Sequence, residues 1–184
     1  EIKDEKIKKA MTKEFIDFYA KNIDKNSKPL IGTIEFLNWA KNKNISMAVC
    51  TNKQERLAVD LLKKLDIYKF FEYVAGSDTF SFNKPDPRHL TDVIEIIGGD
   101  LKKTIMIGDS EVDAMSAHNA QLPFVLVKDG YTEKSEKEIK HDELITDFVD
   151  FVVFTDFVNL NVEACCSYLL CCLASLTCGF HLTL

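Results

Sequence analysis

A chain of 184 residues with 46% hydrophobic content has the size of one ordinary domain and enough apolar material to bury a real core. Its net charge of −6 and pI near 5.3 argue against nucleic acid as the main partner, because that role needs clustered Lys and Arg, and the lysines here are scattered among carboxylates. The charged stretch from Glu1 to Lys9 lacks the apolar run of a signal peptide, and a single cysteine in the first 160 residues, Cys50, suits a reducing, cytoplasmic protein.

Ile7, Met11, Phe15 and Phe18 recur at helical spacing with charges between them, predicting an amphipathic helix that ends near Asn22 and needs a partner surface. Pro29 to Gly32 is a turn. Thr33 to Lys43 reads as a helix through Ile34, Leu37 and Ala40, and Ile45 to Cys50 is an apolar run suited to a buried parallel strand. A helix follows from about Glu55 to Leu65, then a brief strand from Tyr73 to Ala75. Asp86 is a good helix cap and Pro87 a good first helical residue, opening a helix through Leu90, Val93, Ile94 and Ile97 that Gly98 and Gly99 stop. Thr104 to Ile107 and Phe124 to Val127 are further strands, a helix runs through Val112, Met115 and Ala117, and Phe151 to Phe154 is a candidate last strand. This alternation predicts an α/β fold with a parallel sheet flanked by helices. Trp39 is assigned to the core, and His89 and His118 to helix faces.

Thr51 and Asp109 both fall just past the carboxyl end of a strand, where open parallel sheets bind ligands. A phosphomonoester needs its charge neutralised and its oxygens held by short-reach donors. Thr51 offers a hydroxyl and Asn52 a backbone N–H heading into the next helix. Lys84, in Lys84-Pro85-Asp86-Pro87, offers a point charge on a stiffened loop, and Asp109 and Asp113 offer hard oxygens for Mg2+, with Ser110 and Glu111 as outer partners. Each stretch alone has an ordinary reading: a strand-to-helix turn capped by Asn52, a surface loop, and a helix cap at Gly108-Asp109-Ser110. Their common order, with 33 residues from Thr51 to Lys84 and 25 from Lys84 to Asp109, favours a joint role.

In that order and spacing, Val49-Cys50-Thr51-Asn52-Lys53, Lys84-Pro85-Asp86-Pro87 and Gly108-Asp109-Ser110-Glu111-Val112-Asp113 resemble motifs two, three and four of the haloacid dehalogenase superfamily, closest to its phosphoglycolate phosphatase branch, from about Pro29 to Asp150. The resemblance implies a Rossmann-like core and a Mg2+-dependent phosphomonoester hydrolase acting on a small phosphorylated metabolite. Thr51, Asn52 and Lys84 would hold phosphate, with Thr51 and Lys84 serving catalysis, while Asp109 and Asp113 would serve the metal. The paired aspartates disfavour dehalogenation. The family's first motif, a strand ending in Asp-x-Asp-Gly-Thr that supplies the nucleophile, has no match, because no two aspartates stand two residues apart. The core is therefore expected to miss its first, central strand and most of a helical cap, leaving exposed strand edges.

Three segments follow from this reading: a cap remnant over 1–27, an α/β core over 28–155, and an apolar Cys-rich tail over 156–184. The chain does not open on Met, which suits either a processed product or a fragment. The tail from Ala164 to Leu184 has no charged side chain and holds Cys165, Cys166, Cys171, Cys172 and Cys178. Out-of-frame sequence, a membrane anchor and a Cys/His metal cluster ending at His181 all remain open for it. The function stands between a phosphatase and an inactive remnant that binds only a metal or a partner.

Overall fold

The computed structural model describes residues 4–150, apart from 24, 26 and 131, together with the backbone of 168–171 and 177–178. In chain order the elements are α1 (Glu5–Asn22), β1 (Lys28–Pro29), α2 (Thr33–Asn42), β2 (Ser46–Cys50), α3 (Glu55–Lys64), β3 (Tyr73–Ala75) and α4 (Arg88–Ile96). They continue with β4 (Thr104–Gly108), α5 (Glu111–Asn119), β5 (Phe124–Val127), β6 (Glu143–Ile145), β7 (Tyr168–Cys171) and β8 (Thr177–Cys178). The sheet has six strands in the order β3-β2-β7-β4-β5-β6, and every neighbouring pair in it is parallel.

The two-residue alternation of strand side chains sorts the core into two layers. Met47, Val49, Ile107, Val125 and Val127 pack with Phe36, Leu37 and Ala40 of α2 and with Leu57, Ala58, Leu61 and Leu62 of α3. The intervening Ala48, Cys50, Met106, Phe124 and Leu126 pack with Leu90, Val93 and Ile94 of α4 and with Ala114 and Ala117 of α5. Each large side chain buried in this way stabilises the fold by roughly 1.5–3 kcal/mol. Phe148 closes the first layer, fully buried with its ring 4.8 Å from that of Phe36. Trp39 is only half-buried, stacked at 6.1 Å on Phe36.

Several elements depart from the sequence-based expectations. Pro87, not Asp86, occupies the cap position of α4, and Arg88 opens the helix. Asp86 still serves that end, because its Oδ1 accepts from the Arg88 N–H at 2.9 Å. Ile34 is exposed, and Phe36 takes the inward place beside Leu37 and Ala40. On α1, Ile7, Met11 and Phe18 are exposed, and Ile16, Tyr19 and Ala20 pack against the core instead. The inward stripe is thus offset by one or two positions from the one read off the periodicity. His89 does lie on a helix face, but a fully buried one. The candidate strand Phe151–Phe154 lies outside the described residues.

The expectation of unpaired edges at the sheet centre is not met. The backbone of β7 lies between β2 and β4, with Ser46 and Thr104 both level with Tyr168, and Val49 and Ile107 both level with Cys171. A segment from the Cys-rich tail thereby stands where the resemblance leaves a gap. A parallel sheet tolerates no unpaired interior strand, since buried N–H and C=O groups need partners. β8 pairs antiparallel with β1, Lys28 level with Cys178.

Candidate functional site

β2 and β4 end at Cys50 and Gly108 at the same end of the sheet, so the next residues, Thr51 and Asp109, stand at its carboxyl end, where open parallel sheets bind ligands in a crevice. Thr51 is 5% exposed, its N–H donates to the Ala75 carbonyl at 2.9 Å, and its Oγ1 accepts from the Lys53 N–H at 3.1 Å. That bond curls the loop back on itself before α3 begins. Asn52 is exposed and is not the cap of α3, which starts after Gln54. Its side-chain Nδ2 donates instead to the Lys84 carbonyl at 2.9 Å, tying the first loop to the second.

Lys84 is buried, and its Nζ donates to Oδ1 of Asp113, which is buried as well. The other oxygen, Oδ2, accepts from the Ser110 hydroxyl at 2.7 Å and from the Asp109 N–H at 3.2 Å. Ser110 caps α5 by accepting from the Asp113 N–H. The three loops therefore form one hydrogen-bonded chain, from Asn52 through Lys84 and Asp113 to Asp109. Of the residues singled out in the sequence, Asn52, Lys84, Asp109, Ser110 and Asp113 belong to it, Thr51 adjoins it through its peptide link to Asn52, and Glu111 bonds Thr132 instead.

The charges in this network set each other. Burial works to raise the Asp113 carboxyl, but the Lys84 ammonium and the hydrogen bonds from Lys84, Ser110 and the Asp109 amide overcome it and hold the group below its ordinary value. Asp113 is thus an anion whose role is to fix Lys84 and the Asp109 backbone. Cys50 lies beneath, and burial pushes its thiol up to about 12, with Lys84 opposing and Asp113 adding. At neutral pH it is a protonated thiol and no nucleophile.

Two glycines let these parts come together. A Cβ on Gly108 would stand 2.5 Å from the Asp113 Cβ, and one on Gly130 would stand 2.3 Å from the Asp109 Cβ. Gly130 was missed by the sequence reading, although Asp129-Gly130 just past a strand is a turn signal. Its loop is fastened by Thr132, whose hydroxyl donates to Glu111 Oε2 at 2.6 Å. That bond is the main cause holding the Glu111 carboxyl below its usual range. Glu111 therefore serves this loop. A similar fastening holds the loop after β3, where the Glu55 N–H donates to Asp78 Oδ1 and the Thr79 hydroxyl donates to Glu55 Oε2.

Among the described residues no group of three or more His, Cys, Asp or Glu side chains is gathered as a metal cage. The Asp109 and Asp113 carboxylates suit Mg2+, which commonly takes one or two carboxylates and fills its other positions with water and phosphate oxygens. Both Asp113 oxygens already accept hydrogen bonds, so the donor set fits a cation held chiefly by Asp109, with Asp113 as its outer partner. No helix among the described residues is long and apolar enough to cross a membrane.

A profile of the haloacid dehalogenase-like hydrolases matches residues 1–127. A phosphoglycolate phosphatase of Agrobacterium fabrum is 43% identical over 134 residues, which cover 73% of this chain and 58% of that protein. One of Mesorhizobium japonicum is 39% identical over 138 residues, 75% of this chain and 61% of that protein. The chain thus spans about three fifths of the length of these relatives. A crystal structure from Haemophilus somnus 129PT, described as a predicted phosphoglycolate phosphatase, superposes with a TM-score of 0.79 at 25% identity, covering 83% of this chain and 68% of the other. A hydrolase structure from Geobacter sulfurreducens gives a TM-score of 0.58 at 25% identity, over 68% of this chain and 60% of the other.

Proposed function

As the chain belongs to the haloacid dehalogenase-like hydrolase family, we propose that its crevice is the phosphate- and metal-binding part of a Mg2+-dependent phosphomonoester hydrolase site, with 2-phosphoglycolate as substrate and the cytoplasm as its setting. The observation that carries this reading is the buried Lys84–Asp113 pair linking three loops at the carboxyl ends of parallel strands. A buried ammonium held at a crevice rim is suited to neutralising phosphate oxygens. Thr51 Oγ1 and the Asn52 N–H hold two of those oxygens, Lys84 neutralises them, and Asp109 holds the cation. Bound Mg2+ would supply further neutralisation of charge on the phosphoryl group. The substrate assignment is supported by the phosphoglycolate phosphatases that match this chain. In this reading α1 is the remnant of a cap over the crevice.

A second reading, binding without turnover, draws on the strand between β2 and β4. That strand is Tyr168–Cys171, and the sequence continues Cys172-Leu173-Ala174-Ser175, with no carboxylate to attack phosphorus. One experiment separates the two: phosphate release from 2-phosphoglycolate by the purified chain, with and without Mg2+, alongside thermal melting. Mg2+-dependent release that Asp109→Asn abolishes supports the hydrolase. A Mg2+-dependent rise in melting temperature without release supports the binding module, and neither effect would remove Asp109 from any metal site.

A further inference from the structure

Lys53 lies two residues past Thr51, and its N–H closes the loop on Thr51 Oγ1. Its side chain reaches α1, where Nζ donates to the Tyr19 hydroxyl and stands 4.5 Å from the centre of the Tyr19 ring. Both residues are half-buried. A lysine is a long, flexible cation, and holding it against an aromatic face costs rotamer freedom, which the ring's attraction for the ammonium offsets. Its charge is thereby held where the loop after β2 meets α1. Three residues on, in the first turn of α3, Arg56 joins Lys8, Lys9 and Lys13 of α1 around an open cavity of about 470 Å³. The acids on that wall are Glu5, bonded to Lys8 at 3.2 Å, and Asp17. The wall is basic within a chain whose net charge is −6.

We infer that Lys53, held against Tyr19, is a specificity-determining cation that receives the second anionic group of the substrate, the carboxylate of a phosphorylated carboxylic acid. This rests on the phosphate reading of Thr51, Asn52 and Lys84. With phosphate seated there, the rest of a small ester must leave the crevice, and Lys53 supplies a positioned charge where the loop turns to α1. Tyr19 is a positioning residue that acts through Lys53.

The test is titration calorimetry of the whole chain in Mg2+ buffer with 2-phosphoglycolate and with methyl phosphate, which shares the phosphate and lacks the carboxylate. The wild type is expected to prefer 2-phosphoglycolate by about tenfold or more, the size of one charge-assisted hydrogen bond. Lys53→Met should remove that preference and leave methyl phosphate affinity within about twofold, Lys53→Arg should keep part of it, and Tyr19→Phe should weaken it by about threefold. Equal losses on both esters in Lys53→Met, or no preference in the wild type, would overturn this role for Lys53 while the phosphate site stands. Failure of the wild type to bind either ester would overturn the phosphate reading, and the inference with it.

Discussion

The Lys84–Asp113 pair gives the sharpest test of how this crevice is held together. Both side chains are almost wholly out of water, 2% and 1% exposed. Removing one partner of such a pair leaves the other charge buried alone, at a cost of about 3–5 kcal/mol, a large share of the 5–15 kcal/mol that typically stabilises a domain. Lys84→Met and Asp113→Leu should each lose about that much in urea unfolding at pH 7. The double variant should lose less than the two together, because no charge remains unpaired. The pH dependence carries a sign. The Asp113 carboxyl lies below its ordinary 3.8, so the stability it contributes is present above that value and lost as pH falls through the lower, folded one. In Lys84→Met the carboxyl stands buried without its ammonium and its pKa rises, so the deficit at pH 7 should shrink on acidification. Single losses under about 1 kcal/mol, the value of an exposed pair, would refute the account, as would strict additivity in the double variant.

His89 provides a second pH lever. Burial, assisted by the Lys84 charge and only partly offset by the Gly76 backbone, pushes its imidazole down from 6.5 to about 4. Stability should therefore be full above pH 6.5 and fall by about 3 kcal/mol between there and pH 4, and His89→Leu should flatten that slope in urea midpoints taken across the range. Gly130→Ala should displace the Asp109 side chain, costing about 1–3 kcal/mol in unfolding and abolishing any rise in melting temperature on adding Mg2+. A chain ending at Asp150 loses β7 and should show no cooperative thermal transition, since β2 and β4 would each keep an unpaired ladder at the sheet centre. An unchanged melt of that shortened chain would show that β7 contributes nothing to folding.

Much of this architecture could be read from residue patterns, and the places where reading failed share a cause. Ser46–Cys50, Tyr73–Ala75 and Phe124–Val127 are short apolar runs between clear helices, and such runs become buried parallel strands because little else buries both faces. The inward face of α1 was misjudged because periodicity marks an apolar stripe without saying what covers it: Ile7, Met11 and Phe18 carry the stripe, and Ile16, Tyr19 and Ala20 make the contact. The positions of Thr51 and Asp109 were legible because each directly follows an apolar run that forms a strand, and Lys84 because two prolines mark its loop. Gly130 and the Tyr19–Lys53 contact were not, because each depends on two segments far apart in sequence meeting in space. The strand from Tyr168 to Cys171 was missed for a related reason. A run of apolar residues in a cysteine-rich tail carries no sign of which slot will accept it.

That slot ties the fold question to the function question. A parallel sheet accepts any apolar strand whose backbone can bond on both sides, so the centre can be filled without regard to chemistry. Phosphate binding as proposed asks for more than a filled slot, yet it would draw on other segments: Thr51 and Asn52 follow β2, Lys84 follows β3, and Asp109 and Asp113 follow β4. Their mutual bonds, Asn52 to Lys84, Lys84 to Asp113 and Asp113 to the Asp109 amide, make no use of β7. On the proposed reading, anion and metal binding would therefore depend on the central strand only through folding. Attack on phosphorus, as the family resemblance implies it, would need a carboxylate at that strand's end. The proposed site makes the two properties separable by experiment: substitutions in the three loops should change affinity, whereas placing a carboxylate at the carboxyl end of the central strand should change turnover and leave phosphate affinity nearly as it was.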